Sequence, residues 1–392
     1  MSPWDVVVVG AGPGGALAAY ELARGGASVL LLDRAAFPRW KVCGACLSPG
    51  ALRVLDDAGL GGLASDLGGV PLQRLVLAAR ARSARVPLGG SLALSRFAFD
   101  AALVRAAVAE GAVFWPGSRV ALGRLEGDAR GLQVIRDGAK VAVAARVVVD
   151  ATGLGRGLRA GTAPSDEVAA GSRVGVGAVL RGDDYPVRPG DLHMAVGRAG
   201  YVGLVRVEDG ALNVAAALDP ARLRTASPEQ VVSGVLAEAG LPPVAEQPLE
   251  GWRGTPLLTR SSRDAGSERL FHVGDAAGYV EPFTGEGICW ALSAARVSAR
   301  LAAAGAERWR NGLLDEWRAY RRNALVPSQR LCRVLAGALR RPRLVSVAVD
   351  ALRVAPALAA PAVSRAGRPP GGGAAQAIAA VRPTRARAQV SA

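Results

Sequence analysis

The hydrophobic pattern of the first 33 residues predicts a strand, a helix and a second strand. Asp5 to Val9 and Ala27 to Leu32 are short, nearly continuous apolar runs of the kind found in buried parallel strands. Between them the pattern predicts a helix from about Gly14 to Arg24, which ends at Gly25-Gly26. This order predicts a βαβ opening unit.

The rest of the chain predicts a second, sheet-rich lobe inserted into the first. Residues 161–262 are rich in β-branched runs and turn residues, which favours an antiparallel sheet. The other predicted elements are a helix from Arg96 to Glu110, a buried strand from Val141 to Val149, a strand from Leu270 to Val273, a helix from about Gly287 to Ala304 and amphipathic helices after Arg318. We therefore expect an α/β protein: a Rossmann-type lobe with a parallel sheet (1–160 and 264–325), an antiparallel-sheet substrate lobe (161–263), and a basic helical extension with a flexible tail (326–392).

Length and charge add to this picture. At 392 residues, half of them hydrophobic, the chain is long enough for two lobes. The net charge is +15, and the region from Arg318 onward contains fourteen Arg against one acid, Asp350. Without a nucleic-acid motif, this tail predicts a solvated segment or a peripheral membrane contact, and not a nucleic-acid partner. No export signal or spanning helix is apparent, so a cytoplasmic location, with possible membrane association, is the expectation.

A glycine-rich turn follows the first strand and precedes the first helix. In this context Gly10, Gly12, Pro13, Gly14 and Gly15 permit a tight turn and let backbone N–H groups approach a pyrophosphate. Asp33 ends the second strand, where a carboxylate accepts hydrogen bonds from ribose hydroxyls and disfavours a 2′-phosphate. The turn therefore predicts binding of FAD or NAD.

A second glycine-bearing segment favours FAD. Gly274-Asp275-Ala276-Ala277-Gly278 is followed by Gly285-Glu286-Gly287 at the start of a helix. Asp275 could bind ribityl hydroxyls, and the positive end of the helix beginning at Gly287 would face the flavin ring.

Taken together, these motifs resemble the geranylgeranyl reductase family, within the FAD superfamily of p-hydroxybenzoate hydroxylase type, over residues 1 to about 320. The resemblance also rests on Phe37-Pro38-Arg39-Trp40-Lys41-Val42-Cys43-Gly44, on Asp150-Ala151-Thr152-Gly153, and on Pro282 with Ile288. It implies FAD contacts at Gly12 to Gly15, Asp33, Arg34, Cys43, Gly44, Arg96, Val120, Asp275, Gly287 and Ile288. It also implies NAD(P)H as a transient electron donor.

The reaction is left open by departures from the family patterns. Prenyl reductases usually carry a Tyr-x-Trp-x-Phe-Pro-like strand, but the similar place here reads Tyr201-Val202-Gly203-Leu204-Val205-Arg206. The halogenase Trp-x-Trp-x-Ile-Pro stretch is absent, and Gly278 stands where aromatic hydroxylases usually have His. These departures favour a monooxygenase of secondary metabolism that hydroxylates or oxidises an apolar aromatic polyketide, quinone precursor or isoprenoid. Reduction of prenyl double bonds, or a non-catalytic FAD protein at a membrane surface, are the alternatives.

For several individual side chains the sequence leaves more than one role open. Cys43 and Cys46 could form a redox dithiol, Cys43 alone could contact the flavin, or both could simply pack. Glu281 and Glu286 could transfer protons to the substrate or hold the turn. His272 fits a core histidine better than a catalytic one, and with two His in the chain no metal site is expected.

Overall fold

The computed structural model describes residues 2–155, 157–158, 166–181, 184–244, 248–262, 264–281, 283, 285–366 and 368–371. Its strands, in chain order, are β1 (Trp4–Val9), β2 (Val29–Leu32), β3 (Cys46–Leu47), β4 (Val70–Ala79), β5 (Arg82–Ala93), β6 (Val113–Trp115), β7 (Arg119–Glu126), β8 (Ala129–Arg136), β9 (Ala139–Asp150), β10 (Asp166–Val168), β11 (Val174–Leu180), β12 (Asp191–Gly197), β13 (Gly200–Arg206), β14 (Leu212–Leu218), β15 (Arg253–Leu257), β16 (Arg260–Ser262), β17 (Gly266–Ser267), β18 (Leu270–His272) and β19 (Gly278–Tyr279).

Helices lie between these strands and after them. They are α1 (Pro13–Arg24), α2 (Pro49–Asp57), α3 (Leu63–Asp66), α4 (Arg96–Ala109), α5 (Pro228–Glu238), α6 (Gly287–Glu307), α7 (Gly312–Tyr320), α8 (Val326–Ala338), α9 (Pro342–Val354) and α10 (Ala360–Ala366). Three 3-10 turns lie at Arg222–Arg224, Gly274–Ala277 and Pro356–Ala359, and a π turn at Arg321–Leu325 joins α7 to α8. Among the described helices, none is long and apolar enough to cross a membrane.

The first sheet has a parallel centre in the order β18-β9-β1-β2-β6. Val6 to Val9 pair with Val29 to Leu32 on one side and with residues of β9 on the other. Their side chains are buried on both faces of the sheet, which explains why β1 is apolar without alternation. Helices α1, α4 and α6 pack in the core on one face.

The second sheet has the order β15-β11-β14-β13-β12-β4-β5-β3 and is antiparallel except between β12 and β4. The predicted fold class, a Rossmann-type lobe with an antiparallel-sheet lobe and a helical extension, is confirmed.

One detail of the predicted organisation differs in the structure. Strands β3 to β5 lie within the predicted range 1–160 of the first lobe, but they pair into the second sheet. The link is the parallel pairing of Arg74 to Ala79 with Asp191 to Val196, more than 110 residues away. Local periodicity carries no information about a pairing of that range.

Helix α9 lies over the second sheet. It contacts β4, β5 and β12, and its buried side chains Val345 and Val349 pack against Leu77 and Met194. The C-terminal region therefore covers the face of the second sheet that lies near the Gly274–Ala277 turn.

Candidate cofactor and substrate site

The glycines after β1 form a turn that tolerates no side chains at two positions. Gly10 has a φ of +103°, and a Cβ on Gly15 would lie 1.8 Å from the carbonyl oxygen of Gly10. A Cβ on Gly14 would lie 3.3 Å from the carbonyl oxygen of Ala291 on α6. Helix α1 begins at Pro13 without a side-chain cap. The first backbone N–H groups of α1 are thus free of side-chain capping, as a bound phosphate group requires.

Asp33 is buried at the end of β2 and is tied to this turn. Its Oδ2 accepts a hydrogen bond from the Ala11 N–H at 2.7 Å, and its Oδ1 accepts one from the Ala35 N–H at 2.8 Å. The Ser118 N–H donates to the Asp33 carbonyl oxygen at 2.7 Å, which brings the start of β7, with half-buried Val120, beside Asp33. Arg34 is exposed at the same strand end. The predicted adenosine-side residues are therefore neighbours in the structure.

A buried charge cluster lies against the glycine turn. The Arg96 guanidinium forms two hydrogen bonds of 2.7 Å with the two carboxylate oxygens of Asp100, and Arg39 donates to Asp100 Oδ2 at 2.9 Å. A Cβ on Gly12 would meet Arg96 Nη2 at 3.5 Å and Arg39 Nη2 at 3.8 Å. Burial opposes the charge of Arg96, but pairing with Asp100 outweighs it, so the pKa of Arg96 is raised. Arg96 is thus a buried cation beside the turn and not a surface residue.

Lys41 and Asp275 extend this cluster toward the second glycine segment. Burial and then the charge of Arg96 lower the pKa of Lys41, although Asp275 acts in the opposite direction. Burial raises the pKa of Asp275, against the opposing effects of Lys41 and Arg96. The two glycine segments, about 260 residues apart in sequence, therefore meet across a set of mutually interacting charges.

Cys43, Gly44 and Cys46 lie between these segments and the second sheet. The Cys43 carbonyl oxygen accepts a hydrogen bond of 2.9 Å from Asn213 Nδ2 of β14, and the Cys43 thiol interacts with Arg96. Burial, and then Cys43, raise the pKa of the Cys46 thiol to about 12. A thiol with so high a pKa is a poor nucleophile at neutral pH, which speaks against a dithiol pair.

Glu281 belongs to a buried cluster on the side of the second sheet. Its carboxylate pairs with Arg173 at 2.9 Å, and both side chains are almost fully buried. Arg173 lies over the ring of Tyr201 at 5.4 Å, and Phe283 meets the same ring edge-on at 5.2 Å. Burial and then the Glu281 charge raise the pKa of Tyr201 well above its ordinary value, so its hydroxyl is protonated at neutral pH.

Tyr279 lies near both groups of charges. Burial, then Asp275 and then Tyr201 raise its pKa well above the ordinary value. Sequence reasoning missed Arg39, Lys41, Asp100, Arg173 and Tyr279 as candidate site residues. The sequence does indicate the Arg96–Asp100 ion pair, since these two residues are four positions apart on one predicted helix.

Glu286, Gly287 and Ile288 lie at the start of α6. Glu286 is buried, and its carboxylate lies 3.7 Å from the Cys332 thiol of α8. This contact places Glu286 beside the C-terminal helix α8. Ile288 is buried in the first core, and Pro282 lies outside the described residues.

His272 takes no part in the charge cluster around the glycine turn. Its Nδ1 lies 2.8 Å from Asp150 Oδ2, and Asp150 in turn accepts hydrogen bonds from Thr152 and from the Leu158 N–H. His272 therefore supports the loop after β9, as expected of a core histidine. Among the described residues, no group of three or more His, Cys, Asp and Glu side chains is placed to hold a metal ion.

An apolar cluster leads away from Tyr279 and Phe283 along the second sheet. Its buried members include Leu77, Met194, Val196, Leu258, Leu339 and Val349. At its far end Ala79, Val196 and Val345 also line an open groove of about 840 Å³. The groove is bordered by Arg80, Arg198, Arg340, Arg341 and Arg343. We refer to it as the arginine groove.

Comparison with known proteins agrees with this geometry. Residues 3–155 match the family model described as an FAD binding domain. The chain is 30% identical over 319 residues to digeranylgeranylglycerophospholipid reductase 1 of Methanopyrus kandleri, which covers 76% of this chain and 80% of that protein. The glycine turn, Asp33 and the adjacent cations fit the pyrophosphate and ribose of the FAD that the match implies.

Other relatives match in part. Conditioned medium factor receptor 1 of Dictyostelium discoideum is 27% identical over 327 residues, which are 76% of this chain and 62% of that protein. Menaquinone reductase of Mycobacterium tuberculosis is 56% identical over 57 residues, 14% of each chain. The chain thus covers less than two thirds of the length of these two relatives.

Solved structures share the fold. A geranylgeranyl bacteriochlorophyll reductase-like protein from Thermoplasma acidophilum superposes with a TM-score of 0.73 at 20% identity, over 93% of this chain and 96% of its own. The flavin-dependent halogenase CmlS superposes with a TM-score of 0.68 at 21% identity, over 86% and 63%. At these identities the likeness establishes the fold and leaves the reaction open.

Proposed function

The chain belongs to the geranylgeranyl reductase-like family of FAD-dependent oxidoreductases, and from this premise we propose that it reduces carbon–carbon double bonds in the isoprenoid chain of a lipid. The coarser part of this statement, a flavin-dependent oxidoreductase, follows from the family. The substrate class and the direction of the reaction are the proposal.

The apolar cluster is the observation that carries it. The cluster runs from Tyr279 and Phe283, beside the flavin-side segment, along the second sheet to the arginine groove at the surface. The cluster is packed core, so a substrate must displace part of this packing to lie along the second sheet. A long isoprenoid chain would bury its length there with its polar head at the groove, whereas a compact aromatic substrate would need only the inner end.

The tyrosines at the inner end of the apolar cluster could donate the proton that reduction requires. When FAD is bound and reduced, it supplies the two electrons for saturating a double bond. The hydroxyls of Tyr201 and Tyr279 are protonated at neutral pH, because burial raises the pKa of both. Tyr279 directly follows the Gly274–Gly278 segment and packs against the apolar cluster, so we propose Tyr279 as the proton donor, with NAD(P)H as the source of electrons.

The test is an anaerobic turnover assay. Flavin-loaded protein is reduced with NADPH, NADH or dithionite and mixed with a menaquinone or a digeranylgeranyl glycerolipid, and the products are analysed by mass spectrometry. We expect the product to gain two hydrogen atoms per saturated double bond. Tyr279→Phe should slow this step by about 10²-fold or more while flavin content is unchanged. Unchanged lipid under all three donors would overturn the proposal.

Hydroxylation is the second candidate, and the buried Arg173–Glu281 pair favours it. These two charges beside Tyr201 interrupt the apolar cluster and could bind a phenolic or quinone oxygen. The same reduced protein is therefore exposed to ¹⁸O-labelled oxygen with a naphthol or an anthrone as substrate. Incorporation of one labelled oxygen atom, with no saturation of lipid, would replace the first proposal by the second.

A further inference from the structure

The outer side of the C-terminal helices exposes apolar side chains to an unusual degree. The four most exposed large apolar residues of the described chain are Val354 at 88%, Val334 at 69%, Val347 at 66% and Leu358 at 63%. They lie on α8, on α9 and in the turn after α9. Patches of this kind on a monomer mark interaction surfaces.

Helix α9 is apolar on two opposite sides. Its inner side packs Val345 and Val349 into the apolar cluster. Its outer side repeats exposed apolar residues at helical spacing: Leu344, Val347, Ala348, Ala351 and Val354. A helix that only covered the sheet would need the first set alone. The second set therefore needs another explanation.

Arginines surround this exposed face. The segment 326–366 contains Arg330, Arg333, Arg340, Arg341, Arg343, Arg353 and Arg365 against the single acid Asp350, which pairs with Arg82 of β5. Arg340 donates a hydrogen bond to the Gly171 carbonyl oxygen, and Arg198 pairs with Glu238. Within the described part of the chain, Arg80, Arg341 and Arg343 form no ion pair. The arginine groove thus has cations available for an external anion.

We propose that the outer face of α8 and α9, rimmed by these arginines, docks onto the surface of an anionic lipid bilayer. The exposed valines and leucines enter the boundary between head groups and acyl chains, and the arginine groove binds lipid phosphates. A helix lying in the interface buries its apolar face about 5–10 Å deep and gains further from each nearby cation. Docking by this face does not depend on which reaction the flavin supports.

Charge complementarity selects the bilayer over the other occupants. A second copy of the chain would bring an equally basic face against this one. The segment 372–392, the remaining candidate within the chain, contains Arg382, Arg385 and Arg387 and no acid. Both would place like charges together, whereas anionic head groups neutralise the arginines and acyl chains cover the apolar stripe.

Vesicle co-sedimentation tests the proposal. Flavin-loaded full-length protein is mixed with vesicles of phosphatidylcholine alone or with added phosphatidylglycerol. We expect binding to the anionic vesicles, much weaker binding to the neutral ones, and a decrease with added salt. The double variant Arg341→Gln/Arg343→Gln should bind about 25-fold more weakly, since each arginine near the surface is worth about fivefold. Val354→Ser should weaken binding by roughly tenfold.

Matched variants on α4 serve as controls. Arg105→Gln and Val108→Ser change an exposed arginine and an exposed valine on a helix of the first sheet, and both should bind like the unchanged protein. Flavin absorbance and circular dichroism check that each variant is folded.

Four outcomes would overturn the proposal. The first two are equal binding to both vesicle types and equal binding by the α9 variants and their controls. The third is a loss of binding when Arg382, Arg385 and Arg387 are replaced by Gln while the α9 variants bind normally, because the tail would then be the docking element. The fourth is a dimer in solution that only the α9 variants dissociate, without any difference on vesicles, because the face would then be a contact between copies.

Discussion

The cofactor side and the substrate side of this molecule both contain a buried ion pair, but the two pairs are built differently. Arg96 and Asp100 are four residues apart on α4 and form a bidentate pair, with two hydrogen bonds, beside the glycine turn. Arg173 and Glu281 are 108 residues apart and meet through a single contact of 2.9 Å. The first pair is set by one helix, and the second by the whole arrangement of sheet and loops.

Because the two ion pairs lie at different places, we expect one to affect cofactor binding and the other to affect the substrate. Arg96 borders Gly12, where FAD phosphates would bind, and Asp100 holds Arg96, so this pair should influence cofactor affinity. Arg173 and Glu281 lie with Tyr201 and Phe283 at the end of the apolar cluster, so they should influence substrate. Two substitutions test this separation directly.

Asp100→Asn should have the largest effect. It leaves the Arg96 guanidinium buried without its anion, while Arg39 keeps its 3.7 Å contact with Asp33. Removing one partner of a buried pair costs about 3–5 kcal/mol. We expect the free energy of unfolding, measured by urea denaturation with tryptophan fluorescence, to fall by this amount, with weaker FAD binding. Asp57→Asn, at an exposed pair with Arg296, should cost less than about 1 kcal/mol. Equal losses in the two variants would contradict the buried cluster.

Glu281→Gln should lower stability less and leave the cofactor bound. One guanidinium held by a single contact loses its anion here, whereas Asp100 binds two guanidiniums through three hydrogen bonds. We therefore expect a loss at the lower end of the range for breaking a buried pair, about 3 kcal/mol. Flavin content, measured by absorbance, should stay the same, while turnover of the lipid substrate falls. A loss of flavin in this variant would show that the two sides are not separable.

Gly15→Ala should weaken FAD binding through the backbone. The new Cβ would lie 1.8 Å from the Gly10 carbonyl oxygen and 3.0 Å from the Ala151 Cβ, so the turn must shift. Overpacking of this kind costs about 1–3 kcal/mol. We expect the shifted turn to lose a similar amount in FAD binding, which is a rise in the Kd of about 5- to 150-fold. Fluorescence titration of the flavin-free protein measures it. Gly234→Ala, where nothing lies within 4 Å of the new Cβ, is the control and should bind normally.

The same comparison explains what sequence could predict. Sequence patterns pointed to the turn Gly10 to Gly15, to Asp33 and to the Gly274–Gly278 segment. Backbone geometry requires glycine at fixed spacing in these turns, and that requirement is visible in the local sequence. Arg96 was identified only through family resemblance, and its partner Asp100 was overlooked although the helical spacing pointed to it. The parallel order of the first sheet followed from apolar runs that are buried on both faces.

The substrate side could not be predicted in this way. Arg173 precedes β11 and Tyr201 lies on β13, and both strands pair with β14. Tyr279, two residues before Glu281, pairs with Arg260 of β16. No local pattern records pairings of this range. The apolar cluster likewise draws two or more residues each from β4, β12 and α9, and Leu339 from the end of α8. Any apolar side chain of suitable volume can fill such a position, so the sequence there has no fixed signature.

The two histidines of the chain, one in each sheet, should give stability opposite dependences on pH. Burial disfavours the imidazolium of His272, but the bonds to Asp150 and Asp264 outweigh it and raise its pKa above 6.5. Burial lowers the pKa of half-buried His193 in β12, with Arg85 adding to this and Asp191 opposing it.

The sign follows from the protons bound in each state. Between pH 6.5 and the raised pKa of His272, the folded state holds a proton that the unfolded state has lost, so stability falls as pH rises through this window. For His193 the unfolded state holds the extra proton between the lowered pKa and 6.5, so stability falls as pH decreases through that window. The slope from His272 can reach about 1.4 kcal/mol per pH unit.

Urea unfolding at a series of pH values, with His272→Gln and His193→Gln as the two variants, measures these contributions separately. His272→Gln should remove the fall of stability above pH 6.5, and His193→Gln should remove the fall below it. If His272→Gln left the profile above pH 6.5 unchanged, the buried contact with Asp150 would not hold a proton. The histidine of the first sheet would then act only by filling space, as any side chain of that size could.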